Sequence, residues 1–274
     1  MAKNVIVPTP IFTEKEHVQF ILPIYLYLQA KQGRDGTILT SLELLLHACG
    51  YVYNRQSKNS GFVDSVKDAL LYLKQKGYIK SFFDKYGEQT IDDLNMDRPT
   101  NVFIIEVNED AMNYTGDGFS QVFIDDYKKI IEFSMCNAKH RLSKMLYLYC
   151  FISRYTFHRH KNYIDDARYE DENRSMAEKT PNYYFTTYDR LSSMLGDGFS
   201  RSSIIKMLGD LDDCGAIHYK SIGNSIASDD GTVRGGGTVF VLDSKYWEIE
   251  LEAAVQMEKN KKSQFYMKGA EATG

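Results

Sequence analysis

Between residues 200 and 211 the apolar positions recur at a helical period, and this stretch orders the rest of the chain. Ile204, Ile205, Leu208 and Leu211 fall on one predicted helical face. Ser200, Arg201, Ser202 and Lys206 take the opposite face and the N-terminal end. Upstream, Tyr184-Phe185-Thr186 is a short β-type run, and Thr187 is placed to cap a brief helix over 188–195. Gly196-Asp197-Gly198 then makes a turn. Downstream, Cys214-Gly215-Ala216-Ile217 stops the long helix at a glycine, the residue that tolerates the left-handed C-terminal position. A strand over 218–221 follows, then a loop rich in Gly, Ser and Asp, then a second strand over 238–242.

The same order occurs earlier in the chain. Ile24-Tyr25-Leu26-Tyr27-Leu28 parallels Leu146-Tyr147-Leu148-Tyr149-Cys150. Thr37-Ile38-Leu39-Thr40 with Leu42 and Leu45 parallels Tyr184-Phe185-Thr186-Thr187 with Leu191 and Met194. Val63, Val66, Leu70 and Leu73 before Lys76-Gly77-Tyr78-Ile79 parallel Ile204, Ile205, Leu208 and Leu211 before Cys214-Gly215-Ala216-Ile217. Val102-Phe103-Ile104-Ile105 parallels Val239-Phe240-Val241-Leu242. Landmarks repeated in one order indicate an internal duplication. The expected fold is α+β, mostly helical. The expected divisions are a first domain over 1–110, a linker over 111–120, a second domain over 121–243, and a C-terminal helix with a flexible tail over 244–274.

Finer expectations come from the same patterning. Residues 12–20 read as a helix with a capping box from Thr13 and Glu16, and Pro23 kinks or starts the helix that follows. Thr40 and Glu43 offer a second capping box for a short helix ending at Ala48. The next helix begins at Phe62 or Val63, with Asp64 and Asp68 facing out. Residues 121–136 read as a helix, with Ile124, Tyr127, Ile131 and Ser134 along one side. Residues 139–157 read as an amphipathic helix with Leu142, Met145, Tyr149 and Ile152 inward. Lys139, His140, Arg141, Lys144 and Arg154 make it the most basic helix of the chain. Residues 162–182 are polar, of mixed charge and aperiodic, and read as a long loop. A last helix spans 244–262, and the tail beyond 259 is expected to fray.

Composition narrows the function classes. The 274 residues are 43% hydrophobic and 26% charged, as a globular chain is, with a net charge of −4. No window reaches the ~18 uninterrupted apolar residues of a membrane span. Cys49, Cys136, Cys150 and Cys214 are scattered, which reads as reduced cysteine in a cytoplasmic protein. The acidic balance, with a pI near 5.9, argues against indiscriminate nucleic-acid binding and leaves room for a local basic patch. Phosphate-loop, dinucleotide-binding and nucleophile-elbow patterns are missing from the sequence, so no catalysis and no cofactor are expected. The adjacent carboxylate pairs, such as Asp92-Asp93 and Asp229-Asp230, read as solvated surface. His158 and His160 with Asp165 or Asp166 lack a thiolate cluster and read as loop residues rather than a metal site.

Strand, short helix, tight turn, helix, Gly-Ala-Ile and hairpin together resemble a winged helix-turn-helix, and the duplication makes two in tandem. This arrangement looks like the plasmid and phage replication initiators. Arg141-Leu142-Ser143-Lys144-Met145-Leu146-Tyr147-Leu148 with residues 184–242 is similar to the N-terminal domain of RepA-type initiators of Gram-positive plasmids. The chain departs from that pattern in carrying a further winged helix before the matching one. The resemblance implies sequence-specific binding of duplex DNA at repeated origin sites, a homodimer, contacts with host replication proteins, and no membrane association. Ser200, Arg201, Ser202 and Lys206 are then the base-reading candidates, with Arg201 on guanine. Arg55, Lys58, Arg141, Lys144, Arg154, Arg159, Lys161 and Arg234 are the phosphate candidates. The first wing, over 84–100, carries Asp84, Glu88, Asp92, Asp93 and Asp97, so the first copy is expected to read DNA poorly. A transcriptional regulator would use the same surface, and a protein-interaction adaptor would use the same scaffold.

Overall fold

The computed structural model describes residues 4–13, 18–53, 60–92, 94, 98–113, 116, 118–137, 142–156, 170–223 and 236–271, with side chains at all of these but 12, 13, 18, 60 and 262–271. The chain divides into two compact units, Ala2–Phe151 and Ile152–Gly274. The fold is mixed, 55% helical with small antiparallel sheets.

The first unit runs β1 (Asn4–Pro8), α1 (Thr9–Thr13), α2 (Val18–Lys31), β2 (Thr37–Ser41), α3 (Leu42–Ala48), α4 (Ser60–Gln75), β3 (Ile79–Phe83), β4 (Val102–Val107), α5 (Glu109–Met112), β5 (Phe119–Phe123) and α6 (Ile124–Cys136). Helix α7 (Leu142–Tyr155) carries the chain into the second unit. There follow α8 (Glu170–Lys179), β6 (Tyr184–Thr186), α9 (Tyr188–Leu195), α10 (Arg201–Asp213), β7 (Ile217–Ser221), β8 (Thr238–Leu242) and α11 (Trp247–Glu271).

The two units repeat one plan. Each has an antiparallel three-stranded sheet with the last strand in the middle, β2-β4-β3 in the first and β6-β8-β7 in the second. The local chemistry repeats as well. Ser41 Oγ accepts the Leu44 N–H at 3.2 Å to cap α3, and Thr187 Oγ1 accepts the Arg190 N–H at 3.2 Å to cap α9. Helices α4 and α10 both end on a left-handed glycine, Gly77 at φ 80° and Gly215 at φ 68°. In each case the next N–H reaches back into the last turn, Tyr78 to Leu73 O at 2.9 Å and Ala216 to Leu211 O at 2.9 Å. That closure satisfies carbonyls the helix end would otherwise orphan. Aligned on those glycines, the buried residues coincide: Val66, Ala69, Leu70 and Leu73 against Ile204, Met207, Leu208 and Leu211.

The sheets differ in what covers them. Leu251, Ala254 and Val255 of α11 pack on Ile222, Val239 and Val241, so the second sheet has a helix on its outer face. On the first sheet the corresponding side leaves Leu39 62% and Val102 42% exposed.

Several expectations change. Residues 111–120 hold the end of α5 and the start of β5, and β5 pairs along its length with β1, Asn4 opposite Phe123 and Pro8 opposite Phe119. Ser120 and Val122 face inward there. The partner strand lies at the other end of the unit, so no local pattern announces it. The helix expected from 121 therefore starts at Ile124, and the compact units meet at Phe151 and Ile152 rather than near 111–120. Pro23 lies inside α2 rather than at its start. Ser41, not Thr40, caps α3, because Thr40 is turned into the core with Oγ1 3.2 Å from the Tyr27 hydroxyl. The aperiodic stretch 162–182 contains α8, which buries only Asn173 and Ala177 and is tied down by Lys245 Nζ on Glu170 Oε1 at 2.8 Å. So narrow a buried stripe leaves almost no period to read. Helix α11 spans Trp247–Glu271, beyond the expected end at 262 and into the tail expected to fray. The capping partner Glu16 and the histidines His158 and His160 lie outside the described residues.

Candidate nucleic-acid interface

Helix α9, a two-glycine turn and helix α10 build the candidate surface. Gly196 and Gly198 adopt φ 78° and 86° in the turn. Ser192 Oγ donates to Phe199 O at 2.7 Å, and the Phe199 ring is buried, so the turn is pinned to α9. Ser200 then caps α10: its Oγ accepts the Ser203 N–H at 3.3 Å and lies 3.1 Å from Ser202 Oγ. Behind this, Leu191 and Leu195 of α9 are buried, as are Ile204, Met207, Leu208 and Leu211 of α10.

The four base-reading candidates are brought together at the exposed N-terminal half of α10. Ser200, Arg201, Ser202 and Lys206 are all exposed. Arg201 Nη1 stands 3.6 Å from Asp189 Oδ1 of α9, a contact the sequence did not suggest. Both side chains are open to solvent, so the pair orients Arg201 more than it stabilises the fold. The positive end of the helix dipole points the same way. Asp212 and Asp213 sit at the far end, so the helix surface runs from cationic to acidic along its length.

One apolar assignment changes. Ile205 is 42% exposed, and Met207 takes the core position expected of it. Aligning the repeat on its capping glycines pairs Ile205 with Lys67, a polar position of α4, and that alignment was available in the sequence.

The phosphate candidates are dispersed. Lys144 is half-buried on α7, in the first unit, where its neighbours Leu142, Met145, Leu146, Tyr147 and Leu148 are buried. Helix α7 is thus apolar nearly all round, which makes it a core helix before it is a basic face. Arg154, in the second unit, lies over the Tyr155 ring at 5.9 Å, and Tyr155 stacks on Tyr184 at 5.5 Å. Arg55, Lys58, Arg141, Arg159, Lys161 and Arg234 lie outside the described residues.

A polar clamp backs the C-terminal end of α10. His218 of β7 is buried between two carboxylates, Nδ1 2.9 Å from Asp212 Oδ1 and Nε2 3.4 Å from Asp243 Oδ1. Burial alone would lower the imidazole pKa; the bonds to Asp243 and Asp212 and their charges outweigh it and hold it above its ordinary value. Only an imidazolium donates from both nitrogens at once. The ring stacks on Trp247, at the start of α11.

No protein-family model matches the chain, and no curated protein or solved structure matches it either. No helix among the described residues is long and apolar enough to cross a membrane.

Proposed function

We propose that the protein is a sequence-specific duplex-DNA-binding protein built from two tandem winged helix-turn-helix domains, acting as a plasmid or phage replication initiator on repeated origin sites. The observation that carries the reading is the exposed first half of α10, with Arg201, Ser202 and Lys206 turned outward over a buried Ile204–Leu208–Leu211 face. The strand order β6-β8-β7 around α9 and α10 supports the winged-helix assignment. Helices presented in this way place their first residues against base edges in the major groove. Ser200 holds the helix start as its cap, and Arg201 and Ser202 do the reading.

The first copy is assigned to protein contacts. The α4 counterparts of Arg201, Ser202 and Lys206 are Val63, Asp64 and Asp68, which offer phosphate no cation, and the neighbouring Lys67 is engaged with Asp64 at 3.6 Å. Its sheet also exposes Leu39 and Val102. A homodimer and host replication proteins are the partners this reading calls for, in the cytoplasm and without catalysis by the chain itself. A transcriptional regulator would share the DNA surface and differ in where its sites lie.

The test is titration of the full-length protein on fragments of its own replicon or genomic neighbourhood across a salt series. Protection of repeated sites, with affinity falling as salt rises, is the expected result. Repeats at an origin support initiation, and a site beside a promoter supports regulation. No binding above background at low salt would overturn DNA recognition and favour the adaptor.

A further inference from the structure

The outward side of α10 is not uniformly polar. At about 100° per residue, Ser202, Ile205 and Gly209 stack down its middle, with Arg201 and Lys206 to either side. Ile205 is 42% exposed at the centre of this strip. Gly209 lies one turn further on, inside a regular helix, with a negative φ and open space where a Cβ would stand. An interior glycine costs a helix about 1 kcal/mol relative to alanine, and no described residue stands where the methyl would be. The repeat does not require it either, since the α4 counterparts of Ile205 and Gly209 are Lys67 and Leu71. An exposed isoleucine and an unneeded glycine adjoin on the face that carries the cationic end of the helix.

Resting on the DNA-binding reading, we infer that this strip reads at least one A·T base pair by apolar contact. Ile205 packs on a thymine C5 methyl in the major groove, and Gly209 keeps the third turn bare so that the duplex closes to van der Waals distance there. The occupant is duplex DNA by charge at the leading end, where Arg201, Lys206 and the positive helix end face it; at the trailing end Asp212 is engaged with His218 and the exposed Asp213 closes the strip beyond Gly209, so the contact is confined to the first turns. Asp189 is a positioning residue, holding Arg201 beside the strip. The thymine methyl is the one apolar group a major-groove edge offers.

The experiment uses the full-length chain and duplexes it selects from a randomised pool. Each thymine of the selected site is replaced in turn by deoxyuridine, which removes only the methyl. Wild type is expected to lose about four-fold in affinity at one position, the worth of one buried methyl group. I205A loses a similar factor on the unmodified duplex and becomes indifferent to that uridine. G209A melts at a higher temperature than wild type and binds about five-fold weaker or worse, the lower cost of forcing a methyl into a filled contact. If no uridine affects wild type, or G209A binds as wild type while R201A fails, the inference is overturned and DNA recognition stands. Failure to enrich any duplex would overturn both.

Discussion

The imidazole of His218 lies flat against the indole of Trp247, ring centres 3.6 Å apart and planes 19° from parallel. The stack joins β7 to α11, and the flanking Asp212 and Asp243 join it to the end of α10 and the end of β8. The helix proposed to read DNA and the helix covering the second sheet therefore share one buried imidazole.

The pH dependence follows from that arrangement. The folded His218 pKa is raised, so its contribution is fully present below the unfolded value of about 6.5 and is lost as pH rises through the folded value. Trp247 is the only tryptophan of the chain and reports on this stack. Its fluorescence and the urea midpoint of the second unit should both titrate above about pH 6.5, with stability falling toward alkaline pH. H218A should abolish that titration and cost about 2 kcal/mol, the worth of hydrogen bonds to charged groups. A midpoint that stays flat across the range, or one that rises with pH, would contradict the clamp.

Arg201 and Asp189 separate affinity from orientation. R201A should lose about 1–3 kcal/mol of binding to a selected site and relax the preference at one base pair. D189N should leave the salt slope unchanged, because it removes no cation from the DNA face, while blurring the same base preference. Competition titrations against single-base variants measure both effects. A D189N protein with wild-type selectivity would remove Asp189 from the reading.

The two neighbouring isoleucines of α10 should behave in opposite ways on unfolding. Ile204 is fully buried, so I204A should cost about 2–5 kcal/mol. Ile205 is exposed, so I205A should change stability by about 0.5 kcal/mol or less. Equal losses in urea unfolding would mean that the inward face has been assigned wrongly.

Helix α11 should loosen when its polar anchors are removed. The Tyr183 hydroxyl donates to the buried Glu258 Oε1 at 2.6 Å, and Lys261 Nζ reaches the same oxygen at 2.6 Å. Y183F should cost about 1–2 kcal/mol, and amide exchange along residues 251–258 should speed up. Exchange that is unchanged there would show that the apolar contacts alone seat the helix.

The sequence by itself determined the repeated plan. The strand, short helix and long helix of each copy, and the tight turn of the second, were legible because their signals are local: Thr187 as a cap, Gly77 and Gly215 as stops, and buried positions at helical spacing. The placement of Ser200, Arg201, Ser202 and Lys206 on one exposed end was legible for the same reason. Tertiary structure alone decided the pairing of β5 with β1, the helix over 170–179, and the use of α7 as a core helix rather than a basic face. It also decided the ion pair of Arg201 with Asp189 and the sandwich of His218 between Asp212 and Asp243. Each depends on partners distant in the chain or on a buried stripe too narrow to leave a period. Ile205 stands between the two cases. As an apolar residue next to Ile204 it reads with the buried face, but the 100° helical step and its repeat partner Lys67 both place it outward, and Met207 fills the core position.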